Sequence, residues 1–286
     1  MEQAELQPGI HRGVSFADYI AIDAINASML KPHAVSARHA KWKAAEDQDT
    51  NALSLGRVVH TAILEPERFR DHYRVAPRCD RRTKAGKQRW AEFQLEAAGQ
   101  VIVTAEEHRV ACAIAGHSAS TRHIAELLWM ADSEAELTVV QPDTHHDLLC
   151  KARIDCLLDW RGCPTVVDIK TTSARNLKPH TLRAEIHKYG YHIQAAWYLD
   201  VYGRAAGVNA DSFVFVFCQT TQDMDIAAYQ LDDESIEQGR REARQYLQQI
   251  VTCRETGTWP GVQPNEVGTI GLPDYAMTEM DVIFNG

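Results

Sequence analysis

The chain has 286 residues, 45% of them hydrophobic and 24% charged, the balance of an ordinary folded protein with room for one large domain or two small ones. That composition excludes a disordered or fibrous chain. Thirty Lys and Arg against thirty-nine Asp and Glu give a net charge of −9, which argues against coating nucleic acid through a uniformly basic surface but leaves room for a local basic groove.

No apolar run approaches the roughly 20 residues of a membrane helix, and the acidic start Met1-Glu2-Gln3-Ala4-Glu5 lacks the basic and apolar blocks of a secretory signal. A soluble, cytoplasmic protein with no membrane partner is expected. Seven cysteines (Cys79, Cys112, Cys150, Cys156, Cys163, Cys218, Cys253) form no C-x-x-C pair. They are read as buried thiols, against a disulfide framework, a zinc ribbon or a cysteine-ligated iron–sulfur cluster.

The first third has helical character. Asn26 or Ser28 suits the cap of a short helix ahead of Met29 and Leu30, with Pro32 near its end. Leu53, Gly56, His60 and Ile63 or Leu64 recur at helical spacing until Pro66, which puts His60 on an otherwise apolar face. Arg78, Arg81, Arg82, Lys84, Lys87 and Arg89 then crowd a turn-like segment before an amphipathic run with Trp90 and Phe93. This is the densest basic patch, either a solvated loop or a surface that contacts DNA phosphates. Helical patterns continue to about Met130, with a short strand at Val101 to Val103.

From Glu134 the period changes. Strand-like runs cover Glu136 to Val140, Leu148 to Leu158 and Thr165 to Ile169, separated by turn signals at Pro142-Asp143 and Arg161-Gly162, which suggests an antiparallel meander. His145 and His146 fall in the first of these turns, where exposure explains them. One crossover helix from about Tyr191 to Tyr202, strands at Ser212 to Cys218 and near Asp225 to Gln230, and a long helix from Glu234 to about Thr252 complete an α+β or α/β order. The tail after Trp259, with Pro260, Pro264 and Pro273, is expected to be irregular and docked on the body.

Chemistry concentrates in the meander. Asp155 and Asp168 sit on successive strand runs with twelve residues between them, so adjacent strands bring their carboxylates side by side. Within Val166-Val167-Asp168-Ile169-Lys170 a period of two sends Asp168 and Lys170 to one face and Val167 and Ile169 to the other. Two close acids, with Glu136 a possible third, need compensating positive charge. Lys170 supplies part, and a hard divalent cation with oxygen ligands would supply the rest. These residue types suit phosphodiester hydrolysis.

Asp155, twelve residues and Asp168-Ile169-Lys170 resemble the signature of the PD-(D/E)XK nuclease superfamily, with Asp in the second acidic position. Together with Gly56-x-x-x-His60, Leu64-Glu65-Pro66, the Glu136 strand, Asp168-Ile169-Lys170-Thr171-Thr172 and Gln194-x-x-x-Tyr198, the set resembles the nuclease domain of RecE-type exonuclease VIII, related to the RecB-like group. The likeness spans Asn26 to about Pro273. One departure is Ile154 where the pattern has proline before Asp155.

The resemblance implies an α/β restriction-endonuclease-like core with a mixed central sheet flanked by helices. It implies one domain over 1–286: a helical part (1–130) contributing His60, a core (131–260) and a tail (261–286). It further implies that His60, Asp155, Asp168 and the Ile169 carbonyl ligate Mg²⁺, with Mn²⁺ able to substitute. Lys170 would be the catalytic lysine and Glu136 would support the cation's waters or the nucleophile, with Glu134, of the same strand parity, as the alternative third acid. Gln194 and Tyr198 would line the site or, alternatively, mark the polar margin of a helix whose Ile193, Trp197 and Val201 face the core. The implied activity is a metal-dependent exodeoxyribonuclease degrading linear double-stranded DNA 5′ to 3′, leaving 3′ overhangs for a single-strand annealing protein in phage-type recombination, as a homo-oligomer, by analogy a tetrameric ring. The alternatives are a RecB- or Cas4-like nuclease on single-stranded ends and a catalytically silent DNA-binding protein with the nuclease fold.

Overall fold

The computed structural model describes residues 6–45, 51–221, 223–262 and 267–273. Its strands are β1 (Gly9–His11), β2 (Tyr73–Val75), β3 (Val101–Val103), β4 (Glu134–Pro142), β5 (Leu149–Trp160), β6 (Cys163–Thr172), β7 (Ser212–Gln219) and β8 (Ile226–Gln230). Its helices are α1 (Phe16–Ala21), α2 (Ala27–Leu30), α3 (Ala37–Ala45), α4 (Asn51–Leu64), α5 (Pro66–His72), α6 (Lys84–Glu96), α7 (Ala105–Ser120), α8 (Arg122–Trp129), α9 (Pro179–Lys188), α10 (Tyr191–Ala206) and α11 (Asp233–Thr256), with a 3₁₀ turn at Lys31–Ala34 after α2.

Six strands form one mixed sheet in the order β1-β4-β5-β6-β7-β8. β4, β5 and β6 make the antiparallel meander, β6 and β7 run parallel, and β8 returns antiparallel to β7. The two-sided core follows from alternation along nearly continuous apolar strands. Phe213, Phe215 and Phe217 join one buried cluster with Ile193, Trp197 and Leu199 of α10 and Ile236, Leu247 and Ile250 of α11. Val214, Val216 and Cys218 join a second with Val58, Val59 and Ile63 of α4, Ile114 of α7 and Leu127 of α8. This is the restriction-endonuclease-like arrangement of a mixed sheet flanked by helices.

Along β5 the alternation breaks at one place. Ile154 belongs to the α10-side core and Cys156 to the α4-side core, although residues two apart on a regular strand share a face. Asp155 sits at this crossover. On β4, Ala135 pairs with Cys156 and Leu137 with Ile154, so Glu136 is the residue opposite Asp155, and Glu136 adopts a left-handed φ of 56°, uncommon for a residue with a side chain.

Several expectations need correction. β1 and β2 lie in the first third, which is not helical throughout. The β6–β7 crossover contains α9 as well as α10; Leu182 is its one buried residue, so its sequence carries little periodic signal. Cys150, Cys156, Cys218 and Cys253 are buried, but Cys112 and Cys163 are exposed and Cys79 is intermediate. The tail docks through Pro260, whose carbonyl accepts from the Arg38 amide at 2.9 Å, and Trp259, which lies under the Lys41 ammonium. It does not dock over 267–273, where every residue is exposed. Pro264 lies outside the described residues. No helix among the described residues is long and apolar enough to cross a membrane.

α10 is fixed against α11 by a close backbone approach. A Cβ at Gly239 would lie 2.2 Å from the His192 carbonyl oxygen and 3.0 Å from the Ala196 Cβ, so the helices must separate to admit one. Gly239→Ala is expected to destabilise the fold by about 1–3 kcal/mol, read as a lowered urea midpoint at unchanged slope.

Candidate active site

The β5–β6 ladder ends with Cys156 opposite Val167. Asp155 and Asp168 occupy the next position on each strand, where the strands part. Asp155 Oδ2 accepts from the Ile169 amide at 2.8 Å, so the freed backbone of β6 is satisfied by a side chain instead of by the ladder. Asp168 is 1% exposed, and its side chain points to the α10 side of the sheet.

There Gln194 Nε2 donates to Asp168 Oδ1 at 2.6 Å, and Lys170 Nζ lies 2.5 Å from Oδ2. The ammonium is the group that neutralises this buried oxygen. Lys170 Nζ also lies 4.9 Å over the Tyr191 ring. Tyr198, one turn beyond Gln194, is partly buried with its hydroxyl pKa pushed well up, mainly by burial and further by nearby acidic groups that include Asp168, Asp155 and Glu136.

From the opposite side α4 brings His60. Its Nε2 is 2.8 Å from the Ile169 carbonyl oxygen, and its Nδ1 is 3.4 Å from Asp155 Oδ2. A carbonyl only accepts, which assigns the ring proton to Nε2 and leaves the Nδ1 lone pair facing a carboxylate. Burial lowers the His60 pKa, favouring the neutral ring. Two lone pairs in this position need a proton or a cation between them.

Glu136 completes the group. One donor atom each from His60, Glu136 and Asp155 lie within 4.8 Å of one another. Arg153 anchors Glu136: Nε and a terminal nitrogen both reach Oε2 at 2.6 Å, while Nη1 donates to the Val14 carbonyl at 2.9 Å. Burial and then the Asp155 charge raise the Glu136 pKa, against Arg153. Burial, then the Asp168 charge, push Asp155 up to about 8. Glu134, the alternative third acid, instead pairs with Arg12 near the surface.

The donor set fits a hard divalent cation. Carboxylates, a neutral imidazole and a carbonyl face one another, and burial together with mutual repulsion raises the pKa of both Asp155 and Glu136. Asp168 stands outside the tightest trio, oriented by Lys170 and Gln194, and the Ile169 carbonyl carries the His60 hydrogen bond.

The six cations from Arg78 to Arg89 are all exposed and in part locally engaged. Arg82 pairs with Asp80, Arg89 with Glu96, and Arg81 stacks on Trp90. His145 and His146 cap a turn, both amides donating to Asp143 Oδ2 at 2.9 Å. Sequence reasoning missed Arg153. Arg153 shares strand parity with Asp155, as does Lys151, on a mostly apolar strand, a signal that was available.

The chain matches, over residues 26–265, the family described as a PDDEXK-like domain of unknown function (DUF3799). It belongs to that family. Membership places this PDDEXK-like chain in the PD-(D/E)XK nuclease superfamily, whose members generally use divalent metals. Its fold is similar to the crystal structure of a candidate exonuclease from Eubacterium rectale, with a TM-score of 0.57 at 13% identity, covering 92% of this chain and 94% of that one. SSO0001 (TM-score 0.27, 22% identity, 41% of this chain and 50% of that) and VC1899 from Vibrio cholerae (TM-score 0.23, 12% identity, 82% and 61%) resemble it too distantly to bear on the fold. No curated protein matches the sequence significantly.

The raised Asp155 pKa makes stability depend on pH with a definite sign. An acid whose folded pKa lies above its unfolded value, here about 8 against 3.8, favours the folded state while protonated, and that advantage is lost as pH rises through the window between them. Relative to Asp155→Asn, the cation-free parent should lose stability between about pH 4 and 8, by at most about 1.4 kcal/mol per pH unit. Urea unfolding at several pH values checks this; a pH-independent difference contradicts it.

Proposed function

We propose that the protein is a Mg²⁺-dependent exodeoxyribonuclease of RecE type. It degrades linear double-stranded DNA 5′ to 3′ and leaves 3′ overhangs for a single-strand annealing protein in phage-type recombination. The observation that carries the reading is the meeting of Asp155, Asp168, Lys170 and His60 where β5 and β6 part. The family's PDDEXK character and the likeness to the Eubacterium rectale protein support it.

His60, Asp155, Asp168 and the Ile169 carbonyl are the groups that would hold the cation, with Glu136 beside them. A bound divalent cation lowers the pKa of a water and neutralises phosphate charge. The chain's own groups do the rest. Lys170, held at Asp168, is the ammonium placed to stabilise charge that develops on the phosphate or to orient the nucleophile. Gln194 fixes the Asp168 carboxyl plane, Tyr198 lines the α10 side, and Arg153 keeps Glu136 in place. Mn²⁺ is expected to substitute for Mg²⁺.

A ring-shaped homo-oligomer, tetrameric by analogy, belongs to the same proposal. It would reconcile a net charge of −9 with DNA binding, because scattered basic residues can converge on a lumen while the outside stays negative; Arg78, Arg81, Arg82, Lys84, Lys87 and Arg89 are the candidate contacts to DNA phosphates.

End-labelled linear duplex tests the reading. With Mg²⁺ the 5′ label should be released before the 3′ label, closed circular duplex should resist, and Lys170→Ala should slow release about 10²–10³-fold. Equal activity of parent and Lys170→Ala would overturn the assignment. Attack on single-stranded ends alone would replace it with the RecB-like alternative.

A further inference from the structure

A second lysine enters the site from a part of the chain that the catalytic motif does not include. Lys31 follows α2, and its position is fixed from several directions. Ile25 bridges to β5, its amide donating to the Leu149 carbonyl at 2.8 Å and its carbonyl accepting from the Lys151 amide at 2.7 Å. Asn26 caps α2 through the Met29 amide at 3.1 Å, and Leu30 is fully buried. The Lys31 stem then passes against Gly190, where a Cβ would lie 3.3 Å from Lys31 Cγ and 3.2 Å from Ile193 Cδ1. Gly190 also needs its left-handed φ of 60° to start α10.

The ammonium delivered this way donates to Gln194 Oε1 at 2.7 Å and lies 5.2 Å over the Tyr191 ring. Lys170 reaches the same Gln194 oxygen at only 3.4 Å, and it is already committed to Asp168 Oδ2. A primary amide has one acceptor end and one donor end. With the acceptor end on Lys31, the donor end faces Asp168 Oδ1 at 2.6 Å. The flipped amide would set NH₂ against an ammonium and C=O against a carboxylate, unfavourable on both sides. Two amino groups are thereby brought to one buried oxygen.

Building on the nuclease reading, we propose that Lys31 is a positioning residue of the active site: its ammonium holds the Gln194 amide in the one orientation that donates to Asp168 Oδ1, which turns Oδ2 toward Lys170 and the cation site. Lys31 acts through Gln194 and not by touching substrate.

The test uses the full-length protein with Lys31→Met, Lys31→Arg, Gln194→Ala and the Lys31→Met/Gln194→Ala pair. The first readout needs neither activity nor metal: the side-chain amide NMR signal of Gln194, assigned by its loss in Gln194→Ala. It should be shifted and protected in the parent and in Lys31→Arg, and collapse to ordinary amide values in Lys31→Met. The second readout is kinetic and by Mn²⁺ titration. Lys31→Met should lower kcat about 10- to 100-fold with KM little changed and weaken Mn²⁺ binding. Adding it to Gln194→Ala should cost nothing more, since residues acting as one unit are non-additive. An unchanged Gln194 signal in Lys31→Met, or additive losses in the pair, would overturn the proposal. A merely structural lysine would move the melting temperature and leave the amide signal in place. If the parent cuts no DNA, the nuclease reading fails while the amide signal still decides the role of Lys31.

Discussion

The acidic groups at the mouth of the β5–β6 ladder set the constraint that the rest of the structure answers. Asp155, Asp168 and Glu136 are brought together in a poorly solvated place, where ionised carboxylates repel one another and lose their hydration. Each has an assigned compensation: Lys170 and the Gln194 amide for Asp168, Arg153 for Glu136, and the Ile169 amide for Asp155. The compensation is incomplete. The pKa of Asp155 is pushed up to about 8 and that of Glu136 is raised as well. A site left short of positive charge in this way is disposed to take up a cation.

The scaffold makes that convergence geometrically possible by a local irregularity. A regular strand would present Asp155 to one face only. Because the side-chain alternation of β5 switches between Ile154 and Cys156, opposite a left-handed Glu136, Asp155 lies where it can meet His60 from the α4 layer while remaining beside Asp168, which faces the α10 layer. Packing on both faces then holds the two layers. The α4-side core fixes the helix of His60, and the approach of Gly239 to His192 fixes the helix of Gln194.

How far this was legible in the sequence differs by residue. The meander and the pairing of Asp155 with Asp168 follow from strand period and short turns, and Lys170 follows from parity with Asp168. His60 was legible only through its company, because a histidine on an apolar helix face has no local signature of ligation. The face switch at Asp155 was not legible: it lies opposite a left-handed Glu136 that no glycine or asparagine announces. α9 escaped because only Leu182 and the partly buried Ile186 face the core, and β1 because three residues pairing at a sheet edge leave no pattern. Lys31 lies more than a hundred residues from the motif it joins, and a lysine after a short apolar helix looks like a solvated terminus until the tertiary packing places Gly190 and Tyr191 against it.

The central claim is that these acidic groups form a cation site. Anomalous diffraction from crystals soaked in Mn²⁺ tests it most directly. The account predicts a peak within bonding distance of Asp155 and Asp168, adjoining His60 and the Ile169 carbonyl, and its loss in Asp168→Asn. A soaked crystal with well-ordered Asp155 and Asp168 side chains and no density between them, or with Mn²⁺ bound elsewhere, would contradict it.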